Sequence, residues 1–392
     1  MALKAGIRGL RMLMAAGGVS LLLATTGCGA FFQCEGKTDC GTSSTSTGTG
    51  DYVYVSNSTS GSEYINGYTV GTGTLTAISG SPFSLGYVPV AMKVSPNNNF
   101  LYVAAAPGTA ETGLWVYGIS STGVVTGGTQ LTSTLIGAMD ISPDGNFLFT
   151  IDSATGAVLT EYTLNKSTGA YNGTLTLSAP GGSPLLYCGV TTATPASQSC
   201  SVAVSPSEDF VGVSLGTTGT VIYPYTSTGG ATNYTGTIAP GASSGDYSLA
   251  FDTSGFTYIA RTTTLSPYGS LAATSPVQGT PYTYTASGAT PRSVTLSTSY
   301  NYLYTANEGT NTISAFSVSS GALTQLAGSP QLGPTNVAAL GVDRSGTYLL
   351  AAGYNSTNGL QMFTIETTGI TAVTSVGTGA TTTIPVVMAL TH

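Results

Sequence analysis

Six polar residues in this 392-residue chain stand where a small site could be assembled: Asn57, Asp152, Arg261, Arg292, Asn307 and Glu308. Each guanidinium presents a planar fork of donors, so Arg261 and Arg292 can grip a carboxylate or polarise a carbonyl. A carboxylate beside them, Asp152 or Glu308, can take a proton from water. Four of the six share a place in the text. Asn57, Asp152, Arg261 and Asn307 each occupy the sixth position of a strand that recurs along the chain, with Ala105, Leu215 and Gly353 at the same position in the other copies. Packing asks equivalent positions for sameness, whereas recognition does not, so a set that varies this much is where a ligand site is expected. The other reading, a handful of solvated loop charges forming weak surface pairs, fits the same residues.

What must position them is a repeat. The copies read YVYVSN from Tyr52, FLYVAA from Phe100, FLFTID from Phe147, FVGVSL from Phe210, FTYIAR from Phe256, YLYTAN from Tyr302 and YLLAAG from Tyr348. The spacings between their leading aromatics are 48, 47, 63, 46, 46 and 46 residues, so one copy carries an inserted loop. A short apolar segment and a turn precede each copy, as in AMDISPDGN from Ala138, where Pro, Asp and Gly suit a tight hairpin. A further strand like ISAFSV, a turn like SSGALT and a last strand ending near GSP complete each unit. Four strands per repeat of roughly 46 residues define a propeller blade. The expected fold is therefore all-β: a seven-bladed β-propeller of four-stranded antiparallel blades over residues 51–392.

The two ends of the repeat complement each other. The first copy begins at a second strand, DYVYVSN, and the text stops at His392 just after VVMALT, which reads as an unpartnered first strand. Pairing of these N- and C-terminal strands would close the ring and remove an exposed edge. Aromatics at matched places, Trp115, Phe316 and Phe363 with Tyr68 and Tyr162, are expected to pack between blades rather than to bind glycan.

Composition narrows function. Gly numbers 53, Tyr 23, and only 6% of residues are charged, which suits strands and tight turns. Nine Lys and Arg oppose sixteen Asp and Glu; only six of the nine follow Cys28, and all sixteen acids do, a balance of 6 − 16 = −10. No basic stripe is available for a phosphate backbone, so no nucleic-acid partner is expected. Nor is there a cluster with metal-ligand spacing, a GxSxG elbow, a P-loop or a dinucleotide fingerprint, so no cofactor or metal is expected. Scarce ionisable groups predict a stability that varies little with pH.

Residues 1–27 have a basic start and an apolar run, Met12 to Ala24, too short for a membrane span of ~20 residues. Gly27 followed by Cys28 resembles the bacterial lipoprotein signal, although Thr25 stands where that signal usually has Leu. The resemblance implies lipidation of Cys28 and removal of 1–27; an uncleaved anchor or a different cut is the alternative. Gly29 is compatible with sorting to an outer membrane. Residues 28–50, which include GTSSTSTGTG, read as a flexible tether. Beyond Cys28 the cysteines form two near pairs, Cys34 with Cys40 and Cys188 with Cys200. Export would permit two local disulfides, though four cysteines allow three connectivities and buried free thiols are the other reading.

At SPDGNFLFT, at ISAFSVSSGALTQLAGSP and in its sevenfold count the chain resembles the lactonase family of seven-bladed propellers, which includes 6-phosphogluconolactonase-like proteins. The resemblance covers residues 51–392. It implies charged residues, histidine and arginine among them, around one mouth of a central channel; here the single histidine is His392. On the sequence, the first expectation is an exported, lipid-anchored propeller at the cell envelope, on the periplasmic or surface-exposed side of the outer membrane. It would act as a monomeric binding or scaffolding module for a small molecule, a glycan or an envelope protein, and touch the membrane through its lipid alone. The second expectation is a lactone hydrolase of 6-phosphogluconolactonase type, with Arg261 and Arg292 holding the lactone carbonyl.

Overall fold

A computed structural model describes residues 50–392 apart from 60–61, 107–110, 153–158, 178–199, 241–244, 285–287, 355–356 and 379–385. Cys28, Cys34, Cys40 and Cys188 lie outside the described residues, while Cys200 is a buried residue at the start of a strand.

The described residues form seven antiparallel sheets, each a path of four strands, with small added strands on some outer edges. The protein is a seven-bladed β-propeller. Its first strands are Met388–Leu390 in blade one, then Pro89–Val94, Ile136–Ile141, Cys200–Val204, Asp246–Phe251, Pro291–Leu296 and Val337–Val342 in blades two to seven. Each contacts the next, and the last contacts Met388–Leu390, so they surround a common axis. The recurring aromatic-led segments are the second strands: Tyr52–Thr59, Phe100–Ala105, Phe147–Asp152, Phe210–Leu215, Thr257–Arg261, Tyr302–Asn307 and Tyr348–Gly353.

One sheet has two apolar faces, and each must be covered by a neighbour. The buried clusters accordingly lie between successive blades; Val53, Val55, Leu350, Leu360 and Met362, for example, join blade one to blade seven. Phe316 and Phe363 are fully buried, with Tyr68 and Tyr162 nearly so, as packing between blades predicts. The leading aromatics have a specific task. Phe100 of blade two lies against Gly169, in the outer hairpin turn of blade three, where a Cβ would come within 2.7 Å of the ring and where φ is +72°. Tyr102 then donates from its hydroxyl to the Gly169 carbonyl at 2.9 Å. Tyr52 and Tyr54 repeat the arrangement on Gly123 of blade two. The aromatic start of one copy and the glycine turn of the next are thus a single joint, which is why both recur.

Closure is as the ends imply. Met388–Leu390 runs antiparallel to Tyr52–Thr59, with Val53 opposite Leu390, Tyr54 opposite Ala389 and Val55 opposite Met388. Ser56 N donates to Val387 O at 2.9 Å and Thr391 N to Tyr52 O at 3.0 Å. Tyr52 N donates to Thr391 Oγ1 at 2.7 Å. Beyond the clasp, the His392 N–H reaches Asn98 Oδ1 of blade two at 2.8 Å, so the last residue also ties to the next blade.

One carboxyl runs against the expectation of pH-indifferent stability. Burial pushes the Asp51 carboxyl up to about 7, and Asp343 across the seam from blade seven raises it further. Asp51 Oδ1 has no hydrogen-bond partner, and Asp343 is itself buried beneath the turn that it caps at Ser345 and Tyr348.

Candidate active site

The site begins with an irregularity in the first strands. In blade six Pro291 pairs with Asn307 and Ser293 with Ala306, leaving Arg292 as an extra residue in a β-bulge. Blade five does the same at Tyr247, between Asp246 and Ser248. Blades two and seven carry it at Val90 and Ala338. A bulge re-aims a side chain without disturbing the rest of its strand. Here it brings unlike residues of adjacent blades together, with Arg292 Cζ lying 5.4 Å from the centre of the Tyr247 ring.

Glu308 completes the pair. It follows directly on the second strand of blade six, in the 3-10 turn Glu308–Thr310, the only helical piece among the described residues. That turn is stapled to the approach to the first strand: Glu308 N donates to Thr290 O at 3.2 Å, and Gly309 N donates to Thr290 Oγ1 at 2.8 Å. Asn311 ends it in a left-handed conformation. Held so, Glu308 Oε2 accepts from Arg292 Nε at 2.5 Å, with the two side chains 20% and 25% exposed respectively. The contact uses one edge of the guanidinium. Among the described residues no hydrogen bond engages its two terminal nitrogens, so the fork is open to a ligand.

Two tyrosines border the pair. The Tyr247 hydroxyl accepts from Thr262 Oγ1 at 3.3 Å. Tyr354, buried just after the second strand of blade seven, has its phenol pushed up to about 12 by burial first and by Glu308 second. It therefore stays a neutral hydrogen-bonding group beside the carboxylate.

Arg261 is placed differently. It is buried and donates from Nε to Asp246 Oδ1 at 2.8 Å, and from one Nη to the Ala239 carbonyl of blade four, also at 2.8 Å. Asp246 is fully buried and accepts in addition from Thr220 Oγ1 at 2.7 Å. Burial raises the Asp246 carboxyl, while Arg261 and Thr220 draw it back down. This ion pair fastens blade four to blade five through Ala239 and Thr220. Asn307 is likewise engaged, donating to Ser314 Oγ at 2.9 Å and accepting from Thr305 Oγ1 at 3.2 Å within its own blade. Asp152 ends the second strand of blade three, opposite Ile136, and Asn57 pairs with Tyr64; their side chains are outside the description. Of the four of these six residues whose side chains are described, Arg292 and Glu308 are the two brought into contact. Tyr247, Asp246 and Tyr354 were missed. The signal for the first two was the start of the first strand, where blade five has DY and the bulge position of other copies holds Val90, Gly137 or Ala338.

At the far end of the first strands a second polar contact joins Lys93 Nζ to Asp140 Oδ1 at 2.9 Å. Asp140 Oδ2 also accepts from Val204 N of blade four at 2.8 Å. Among the described residues no three His, Cys, Asp or Glu side chains come together as a metal site would require.

Fold and site together define a seven-bladed propeller with an arginine–carboxylate pair at one mouth of its axis. Residues 271–383, which include Arg292, Glu308 and Tyr354, match the family model described as "Lactonase, 7-bladed beta-propeller". No curated protein matches the sequence. Among solved structures, the chain is similar to a candidate 6-phosphogluconolactonase of Bacteroides fragilis, at 15% identity and TM-score 0.66, covering 90% of this chain and 100% of that one. It is also similar to a periplasmic gluconolactonase of Pseudomonas aeruginosa, at 17% identity and TM-score 0.64, covering 86% and 98%. A functionally unknown protein of Desulfotomaculum acetoxidans aligns at 15% identity and TM-score 0.61 over 86% and 99%. At these identities the structural likeness speaks for the fold.

Proposed function

We propose that the chain is a lactone hydrolase acting at the Arg292–Glu308 mouth. The observation that carries this reading is the pair itself: a carboxylate held by a rigid turn against one edge of a guanidinium whose other edge is open. The family match over residues 271–383 supports it, because that span contains both side chains. In the reaction Glu308 takes a proton from water as the water oxygen bonds to the lactone carbonyl carbon. The charge that develops on the carbonyl oxygen is met by the open fork of Arg292. When the bond from that carbon to the ring oxygen breaks, Glu308 returns the proton to the departing oxygen, leaving a hydroxy acid. Tyr247 and Tyr354 flank the ring being opened.

The test is hydrolysis of a panel of lactones by purified protein, read above the spontaneous rate. Glu308→Gln and Arg292→Ala should each remove the enzymatic rate while leaving the melting temperature near that of the parent. Turnover unaffected by either change would move the chemistry elsewhere.

A second reading has its own support in the sequence. The basic and apolar start, Gly27–Cys28 and the Ser/Thr/Gly tether favour a propeller exported and held at the cell envelope through lipid on Cys28, where the same mouth would serve as a binding module. Incorporation of a labelled fatty acid, lost in Cys28→Ser, tests the anchor independently of any catalysis.

A further inference from the structure

We infer that the mouth takes an uncharged lactone and discriminates against a phosphorylated one; the inference rests on the hydrolase reading and adds its substrate class. After Cys28 the chain has six Lys and Arg: Lys37, Lys93, Lys166, Arg261, Arg292 and Arg344. Lys37 lies outside the described residues. Lys93 is at the far end of the first strands and is paired with Asp140. Lys166 belongs to the outer hairpin turn of blade three. Arg344 is in the turn between the first and second strands of blade seven, again at the end away from Arg292. Arg261 spends its donors on Asp246 and Ala239 in a buried clip. The internal segments outside the description contain no Lys, Arg or His at all.

Among the described residues Arg292 therefore stands as the one cation that this mouth presents, and Glu308 already balances its charge. A phosphate monoester carries roughly −1.5 to −2 charges near neutral pH and is bound by clustered basic side chains. Here it would meet a site of no net charge, a nearby carboxylate, and a body whose overall field is negative. An uncharged lactone avoids that repulsion. Its carbonyl needs one guanidinium fork, and its ring can lie against Tyr247 and Tyr354. Its product is a monoanion that Arg292 can hold briefly and that the ionised Glu308 helps to expel.

The experiment compares D-glucono-δ-lactone with its 6-phosphate as substrates of the full chain, with Glu308→Gln as the background. A preference of roughly 10-fold or more in kcat/KM for the uncharged lactone is expected, the scale of one uncompensated like charge. Equal or faster turnover of the phosphate overturns the inference and leaves the hydrolase reading standing. Turnover of neither sinks the hydrolase reading. Calorimetric binding of gluconate and 6-phosphogluconate then decides: tighter binding of gluconate supports the uncharged class, while tighter binding of the phosphate, or binding of neither, overturns it. A gain-of-function arm is independent of folding defects. Ala338→Lys places a second cation at the bulge of the neighbouring blade and should raise use of the phosphorylated lactone; no gain in a folded variant counts against the charge argument.

Discussion

Arg292 donates through Nε to Glu308 at 2.5 Å, bridging the bulged first strand of blade six and the turn that leaves its second strand. The geometry is specific to a fork, because one edge serves the carboxylate while the other makes no hydrogen bond among the described residues. A lysine carries its three donors on one nitrogen and lacks the fixed planar fork that serves both directions. Arg292→Lys should therefore keep the charge yet lower lactone kcat/KM by ~100-fold, the size of a lost oxyanion contact. Retention of parental turnover by Arg292→Lys would show that charge alone suffices.

Asp246 and Arg261 make a buried pair whose partners depend on each other. Removing only the carboxylate strands a buried guanidinium, which costs ~3–5 kcal/mol. Asp246→Ala should lower stability by that amount in urea titrations. The double replacement Asp246→Leu, Arg261→Met should recover much of the loss, since it leaves no unpaired charge. A double variant no more stable than Asp246→Ala would deny the coupling.

Asp51 makes stability depend on pH. Its carboxyl titrates at about 7 in the folded protein against an ordinary value of 3.8, so the folded state holds a proton that the unfolded chain releases. The stabilisation is complete below about pH 4 and is lost as pH rises through 7. Asp343 adds repulsion, and the backbone N–H of Arg344 opposes it. The melting temperature of Asp51→Asn should fall less between pH 4 and pH 8 than that of the parent. Identical slopes for the two proteins would remove Asp51 from the account.

The clasp gives the sharpest stability test. Deleting 386–392 removes the first strand of blade one and exposes the edge of Tyr52–Thr59, an edge prone to pair with another chain. The truncated protein should lose its cooperative melting transition or aggregate. Thr391→Val, which removes the hydrogen bonds of Oγ1 to the Gly50 and Tyr52 backbone, should cost ~1 kcal/mol. A truncation that melts like the parent would mean that the ring does not depend on this pairing.

The number of blades, their four strands and the complementarity of the two ends were legible in the sequence, because each depends on local pattern: an aromatic every 46 or so residues, apolar alternation along strands, and turns rich in Pro, Asp and Gly. Such features repeat within one unit and need no knowledge of the next. What Arg261 and Arg292 do was not legible at that level. Arg261 ends the second strand of blade five and is consumed by Asp246 in the strand opposite, whereas Arg292, near the start of the first strand of blade six, is the extra residue of a bulge and turns toward Glu308. A one-residue bulge leaves composition and periodicity almost unchanged while it re-aims a side chain. Whether a charge is buried in a clip or offered at a mouth depends on partners brought near only when the blades assemble, and that was decided by the tertiary structure.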